Sequence, residues 1–332
     1  MKIGIVGSGK FGLVLARIAL ENENKVLIYS RRAEEVESLN KTNMSLSGFS
    51  FGKFAVSATQ EIDKLDACDA LLITVASKDF IESISNLNYE SYKGKFVSCT
   101  KGFDKNTGKL MTEVLIDKFN ISSNKVFVLS GPNLSRELGN KELTGTVIAG
   151  EDNAFIDKLC NAFKTDYFLP FSSNDRYGVE LGGALKNIYA ILSGYFHKKG
   201  VGENTIGLLL TKCLYEMSIY SKARGANPAT FLGLAGVGDF FSTALSTESR
   251  NYKFGEFLAE GMAIEKALFE VKDTVEGYGA SLIIHQHARK LNLNLKLLDY
   301  LISIYEQPKT LSEDKKIFNS AGVEADINFN FK

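Results

Sequence analysis

A chain of 332 residues has room for about two domains, each with a core of its own. Its 39 Lys+Arg balance 39 Asp+Glu, so no net charge draws it to nucleic acid or an anionic surface, and any anion site must be a local cluster. Four scattered cysteines, no apolar run of about 18 residues and an N-terminus that opens directly on a strand point to a cytoplasmic protein without disulfides, leader or stable membrane insertion.

Residues 1–6 (MKIGIV) read as a short buried strand and 13–20 as an apolar helix face. Between them Gly7, Gly9 and Gly12 fall at G-x-G-x-x-G spacing, in the context that a dinucleotide fingerprint requires. Gly7 permits the tight turn. Gly9 lets backbone approach a pyrophosphate, and Gly12 lets helix and strand pack closely. The helix start offers free N–H groups to phosphate oxygens. Residues 25–29 (KVLIY) read as the next strand. Ser30, Arg31 and Arg32 follow it, with no acid placed to accept from a ribose 2′-hydroxyl. Guanidinium groups suit a 2′-phosphate, which favours NADP(H) while leaving NAD(H) open. The alternative reading of the two arginines is a solvated pair opening a helix over 33–40.

Further strands are predicted at 70–75, 95–99 and 126–129, with later ones at 145–149 and 167–170. Helices are predicted at 77–87 and 108–119. Alternating strands and helices make an α/β fold, a doubly wound, mainly parallel sheet. Ligands bind beyond the carboxyl ends of such strands, where Lys101 and Gly131-Pro132-Asn133 stand.

No strand is predicted after about residue 175, and the chain divides into a Rossmann-type domain over 1–177 and an all-helical domain over 178–332. Helices are expected at 178–193, 204–224, 228–232, 252–260, 264–269, 279–291 and 297–305, with a helical turn at 313–316 and a frayed tail at 329–332.

Lys186 and Asn187 stand on a mostly apolar helix. A lysine there either snorkels to the surface or has a job as a general acid or base. Asp239 ends a glycine-bearing turn (LAGVGD) and reads as a helix N-cap or as a partner for a lysine or a substrate hydroxyl. Ser249-Arg250-Asn251 offers one guanidinium and two small polar groups, which suits a phosphate monoester; Ser249 also reads as a helix cap. Glu276 reads as a cofactor-ribose contact or a surface acid. His197, His285 and His287 lack metal-site spacing.

These stretches together resemble the bacterial NAD(P)-dependent glycerol-3-phosphate dehydrogenases. The resemblance is carried by GSGKFG (7–12), TKG (100–102), SGPNLSREL (130–138), GVELGGALKNIYAI (178–191), GLAGVGDFF (233–241), ESRNYKFG (248–255) and VEGY (275–278), in the family's order. It implies reversible reduction of dihydroxyacetone phosphate to sn-glycerol 3-phosphate, feeding glycerophospholipid synthesis, at a site between the two domains. It also implies that Lys186 gives or takes the proton and that Lys101 contacts cofactor and substrate. Gly131, Asn133, Asp239, Ser249, Arg250 and Asn251 match substrate positions. Lys10, Phe11, Arg31, Arg32, Ser135, Arg250, Thr274 and Glu276 match cofactor positions. The phosphorylated substrate is the expected partner, with a homodimer left open. The family often has Ser at position 10, Trp or Tyr at 11, and Thr or Ser at 133, where this chain has Lys10, Phe11 and Asn133. It departs again from Asn204, where the family often reads N-x-x-A-A-L-x-T-R-G and this chain reads N-T-I-G-L-L-L-T-K-C.

The same broad architecture also serves dehydrogenases of β-hydroxy acids, sugar acids or ketopantoate, and regulators that only bind a dinucleotide. Arg250 and Asn251 argue for a phosphate monoester over a carboxylate, and the two lysines argue for turnover.

Overall fold

The computed structural model describes residues 1–320, so the tail expected at 329–332 lies outside them. Two compact units emerge: Met1–Asp104 with Lys109–Glu180, and Lys105–Gly108 with the chain from Leu181 on.

The first unit is built on eight strands: β1 (Lys2–Val6), β2 (Lys25–Tyr29), β3 (Ser57–Thr59), β4 (Ala70–Ile73), β5 (Lys95–Ser98), β6 (Val126–Ser130), β7 (Thr144–Ala149) and β8 (Phe168–Ser173). They form one sheet in the order β3-β2-β1-β4-β5-β6-β7-β8. All neighbours pair in parallel except β6 and β7. The helices of this unit are α1 (Lys10–Glu21), α2 (Ala33–Thr42), α3 (Phe80–Ile84), α4 (Met111–Asp117), α5 (Ser135–Gly139) and α6 (Asn153–Phe163). The β6–β7 link holds only the five-residue α5, and the chain returns antiparallel rather than through a full crossover helix.

Every residue of β4 is buried, and alternation sends its side chains to two cores. Ala70 and Leu72 join the core with Leu13 and Ile18 of α1 and Ile156 and Phe163 of α6. Leu71 and Ile73 join the other, with Phe80 of α3 and Leu115 of α4. A sheet covered on both faces leaves its strand ends as the place for a ligand.

Several elements differ from the sequence expectation, the unpredicted α5 among them. β3 is a three-residue edge strand, Ser-Ala-Thr, with no apolar run to mark it. The helix expected over 77–87 is a 3-10 turn at Ser77–Asp79 followed by the short α3. No helix was expected at α6, although Ile156, Leu159 and Phe163 recur at helical spacing and the Asp152 side chain caps it by accepting from Phe155 N at 3.1 Å.

The second unit is helical: α7 (Arg176–Lys198), α8 (Glu203–Ala223), α9 (Asp239–Ala244), α10 (Arg250–Ala259), α11 (Ile264–Val271), α12 (Glu276–Lys290), α13 (Lys296–Glu306) and α14 (Leu311–Ser320). The first turn of α7 belongs to the sheet unit, where Glu180 accepts from Thr112 N at 3.0 Å and from the Thr112 hydroxyl. From Leu181 on α7 is wrapped by its neighbours. Glycines make the closest approach: a Cβ on Gly194 would strike Tyr252 O, and one on Gly255 would strike Ile191 O, so α7 and α10 touch backbone to backbone.

Glu216 on α8 is buried and serves α13. Its carboxylate accepts from Leu297 N at 2.6 Å, Leu298 N at 3.1 Å and the Tyr189 hydroxyl at 3.0 Å. It therefore caps the first turn of another helix. Burial outweighs these donors and pushes its pKa from 4.5 up to about 7. Between those values the folded chain holds a proton that the unfolded chain has lost. The stability linked to this group is full below about pH 4.5, falls as pH rises towards 7 and is flat above. In Glu216→Gln that dependence disappears. The melting temperature of the variant relative to the parent should climb between pH 5 and 8, in thermal scans across that range. A constant difference would contradict the assignment.

Candidate functional site

In the sheet unit the predicted cofactor residues gather at strand ends. Gly7 follows β1 with φ of 109°, a conformation that favours glycine, and a Cβ there would lie 2.8 Å from Val75 Cγ1. A Cβ on Gly12 would lie 2.5 Å from Gly7 O, so the turn and α1 pack without room for a side chain. Thr74, after β4, fixes the turn by donating to Val6 O at 3.0 Å and Gly7 O at 3.2 Å. Gly9 caps α1, no side chain caps that end, and nothing lies within 4 Å of a Cβ built on Gly9. An uncapped helix start with open space before it fits the pyrophosphate of a dinucleotide. Lys10 is exposed on the first turn, while Phe11 is half-buried against the core.

Arg31 and Arg32 are exposed after β2, and both have acidic partners. Arg31 reaches Glu82 at 2.7 Å and Asp79 at 3.9 Å. Arg32 lies 3.5 Å from Glu35 and donates to Ser8 Oγ at 3.3 Å, itself 2.9 Å from Ser30 Oγ.

Lys101 follows β5 and donates from Nζ to Gly131 O at 2.8 Å. Gly131, after β6, has φ of 144°. Asn133 donates to Thr146 Oγ1 at 2.9 Å, while its Oδ1 is buried with no hydrogen-bond partner, as is Ser130 Oγ. Two unsatisfied oxygens on the turn whose Gly131 carbonyl Lys101 engages suit a polar ligand. Ser135 opens α5.

In the helical unit Lys186 does not snorkel. It is 5% exposed, and its Nζ is held by Asp239 and by Thr243 Oγ1 at 2.6 Å. Asp239 is 1% exposed and is the first residue of α9, behind Gly238 as N-cap, so it serves the lysine rather than capping. The local geometry explains the meeting. A Cβ on Gly182 would strike Ala235 O, so α7 presses on the turn before α9, a single turn of π-helix at Leu234–Gly238. One helical turn further along each element, Lys186 and Asp239 meet. Such π turns recur at functional sites.

Ser249 is the N-cap of α10, its Oγ accepting from Tyr252 N at 3.4 Å. Its hydroxyl proton stays available as a donor, so the cap and anion readings coexist. Arg250 is half-exposed and lies 2.8 Å from Asp273 Oδ1. Asn251 is buried and joined on both sides: it donates to Asn187 Oδ1 at 3.0 Å and accepts from Gly277 N at 2.9 Å. Glu276 opens α12 beside that contact, half-buried, and Thr274 precedes it.

Sequence reasoning did not single out Thr243 or Asp273. Thr243 stands four residues after Asp239 on one helix, so the i, i+4 spacing could have found it. Asp273 joins Arg250 only through the fold.

Two family models cover most of the chain. The NAD-dependent glycerol-3-phosphate dehydrogenase N-terminus matches residues 2–156, and the C-terminus of the same family matches 175–314. This chain belongs to that family. It is 35% identical over 331 residues to the glycerol-3-phosphate dehydrogenase [NAD(P)+] of Pseudomonas savastanoi pv. phaseolicola, covering 98% of this chain and 96% of the relative. The glycerol-3-phosphate dehydrogenase of Coxiella burnetii, a solved structure, superposes with a TM-score of 0.83 at 26% identity, over 96% of this chain and 98% of that one. The Plasmodium falciparum glycerol-3-phosphate dehydrogenase reaches a TM-score of 0.87 at 23% identity over 98% and 97%, a likeness of fold. Among the described residues no helix is long and apolar enough to cross a membrane, and no cluster of three or more His, Cys, Asp or Glu could hold a metal ion.

Proposed function

We propose that this glycerol-3-phosphate dehydrogenase interconverts dihydroxyacetone phosphate and sn-glycerol 3-phosphate with NADP(H) or NAD(H), Lys186 handling the proton. The observation that carries the residue assignment is the buried Lys186–Asp239–Thr243 cluster. A buried ammonium is costly without partners, and Asp239 and Thr243 supply them and aim the Nζ.

A nicotinamide cofactor, when bound, would supply or take up a hydride at the substrate's central carbon. Reduction builds negative charge on the carbonyl oxygen, which Lys186 and Lys101 stabilise electrostatically. Lys186 then donates a proton to that oxygen, and in the reverse direction accepts it. Arg250 holds the phosphate with its guanidinium fork, with Ser249 adding a hydroxyl donor. Asn251, tied to Asn187 and Gly277 N, gives that end a rigid floor. Gly131 and Asn133 complete the polar wall beside Lys101.

Gly7, Gly9, Lys10 and Gly12 receive the cofactor pyrophosphate, with Phe11 and Ser135 nearby in role. Thr274 and Glu276 contribute from the start of α12. Arg31 and Arg32 tilt the choice towards NADP(H). The product supplies glycerophospholipid synthesis, and the four unbridged cysteines fit the reducing cytoplasm.

The test is loss of nicotinamide absorbance on mixing the purified chain with dihydroxyacetone phosphate, run with NADPH and with NADH. Turnover is expected with both coenzymes, faster with NADPH at low concentration. Ketopantoate and other 2-keto acids should give none. Turnover confined to a carboxylate substrate would overturn the substrate reading.

A further inference from the structure

Arg31 and Arg32 follow β2, where a doubly wound sheet receives the adenosine ribose of a dinucleotide. Neither guanidinium is at liberty. Arg31 Nη1 lies 2.7 Å from Glu82 Oε1 and its Nη2 lies 3.9 Å from Asp79 Oδ1. Arg32 lies 3.5 Å from Glu35. Three carboxylates therefore face two cations. A ribose 2′-phosphate must compete with Glu82 for the Arg31 fork, against the field of the other two acids. A ribose 2′-hydroxyl meets no such competition.

We propose that Glu82 is a coenzyme-specificity residue: by engaging Arg31 it limits the preference for NADP(H) and keeps NAD(H) usable. The proposal rests on the end of β2 being the ribose seat. Glu82 differs from Glu35 in kind. The Glu35 side chain is 1% exposed and also accepts from Leu46 N at 3.1 Å, so it belongs to the local fold. The Glu82 side chain is 71% exposed and projects from the short α3, where Arg31 is its one ion-pair partner among the described residues. Removing its charge disturbs no core. Solvent screens an exposed pair, so the effect is moderate, about two- to fivefold.

The experiment uses the full chain with saturating dihydroxyacetone phosphate and varied NADPH or NADH. Parent, Glu82→Gln, Arg31→Ala and the double variant are compared. Glu82→Gln should raise the NADPH-to-NADH ratio of kcat/KM by about two- to fivefold, through a lower KM for NADPH, and high salt should shrink the gain. Arg31→Ala should lower the ratio, and the double variant should match Arg31→Ala. If Arg31→Ala lowers the ratio while Glu82→Gln leaves it unchanged, the proposal is overturned and the ribose seat stands. If Arg31→Ala leaves the ratio unchanged, the ribose seat at Arg31 is wrong and the proposal falls with it. Melting temperature should be the same in Glu82→Gln and the parent, since a general loss of structure would depress both coenzymes together.

Discussion

Lys186→Met is expected to lower kcat for dihydroxyacetone phosphate reduction by about a thousandfold or more, with NADPH binding retained. Loss of a positioned proton donor costs about 10²–10⁴ in rate, and loss of a charge facing the developing oxyanion adds to it. The substitution also strips Asp239 of its cation in a site 1% exposed to solvent. Breaking a buried pair from one side destabilises by about 3–5 kcal/mol. A drop in activity could thus reflect a damaged fold. The double variant Lys186→Met/Asp239→Asn separates the two causes, because it removes both charges of the pair. It should recover most of the lost melting temperature and none of the turnover. Cofactor binding, followed by nicotinamide fluorescence, should survive in both variants. Near-parental kcat in Lys186→Met would remove the lysine from the mechanism.

The sheet was legible because its strands announce themselves. The run at 70–75 is apolar throughout since both faces of β4 are covered, and such a run needs no alternation to be recognised. Gly7, Gly9 and Gly12 were legible for a similar reason, each glycine answering a separate steric demand. β3 was not legible. Its three residues pair at Leu27–Tyr29 because β2 offers an open edge, and nothing in Ser-Ala-Thr itself asks for a strand. The 77–87 stretch looked like one helix, yet the turn tightens at Ser77–Asp79 before Phe80 and Ile84 anchor α3 in the core.

At the site, residue type was legible and pairing was not. A lysine on an apolar helix has two fates, and only the fold decides between them. Here Gly182 settles it, by letting α7 close on the turn at Ala235 and bringing Asp239 within reach of Lys186. The arginines after β2 show the opposite case. Their sequence neighbours gave no sign of Glu82, about fifty residues away in the chain, whose carboxylate lies 2.7 Å from Arg31 and, on our proposal, bears on coenzyme choice. Charges act through distance, and distance across elements is what a linear reading lacks.

Arg250→Ala is expected to raise the KM for dihydroxyacetone phosphate by about ten- to a hundredfold, the loss of one charge-assisted, forked contact to phosphate. kcat should fall as well, by less, because binding energy at the phosphate helps to place the reacting carbon. Stability should barely change. The Arg250–Asp273 pair is half-exposed on both sides, and such pairs add little to folding. Arg250→Lys keeps the charge without the fork and should recover only part of the loss. Asp273→Asn is the informative partner. If Asp273 positions the guanidinium for substrate, its loss raises KM. If it competes with the phosphate for Arg250, its loss lowers KM. The 2.8 Å contact to Arg250 and the bond from Thr274 N to Asp273 Oδ1 at 2.7 Å hold this acid beside the guanidinium, so we expect positioning and a raised KM. An Arg250→Ala enzyme with parental KM would dissolve the phosphate assignment, and the buried lysine would then have to be matched to a substrate without one.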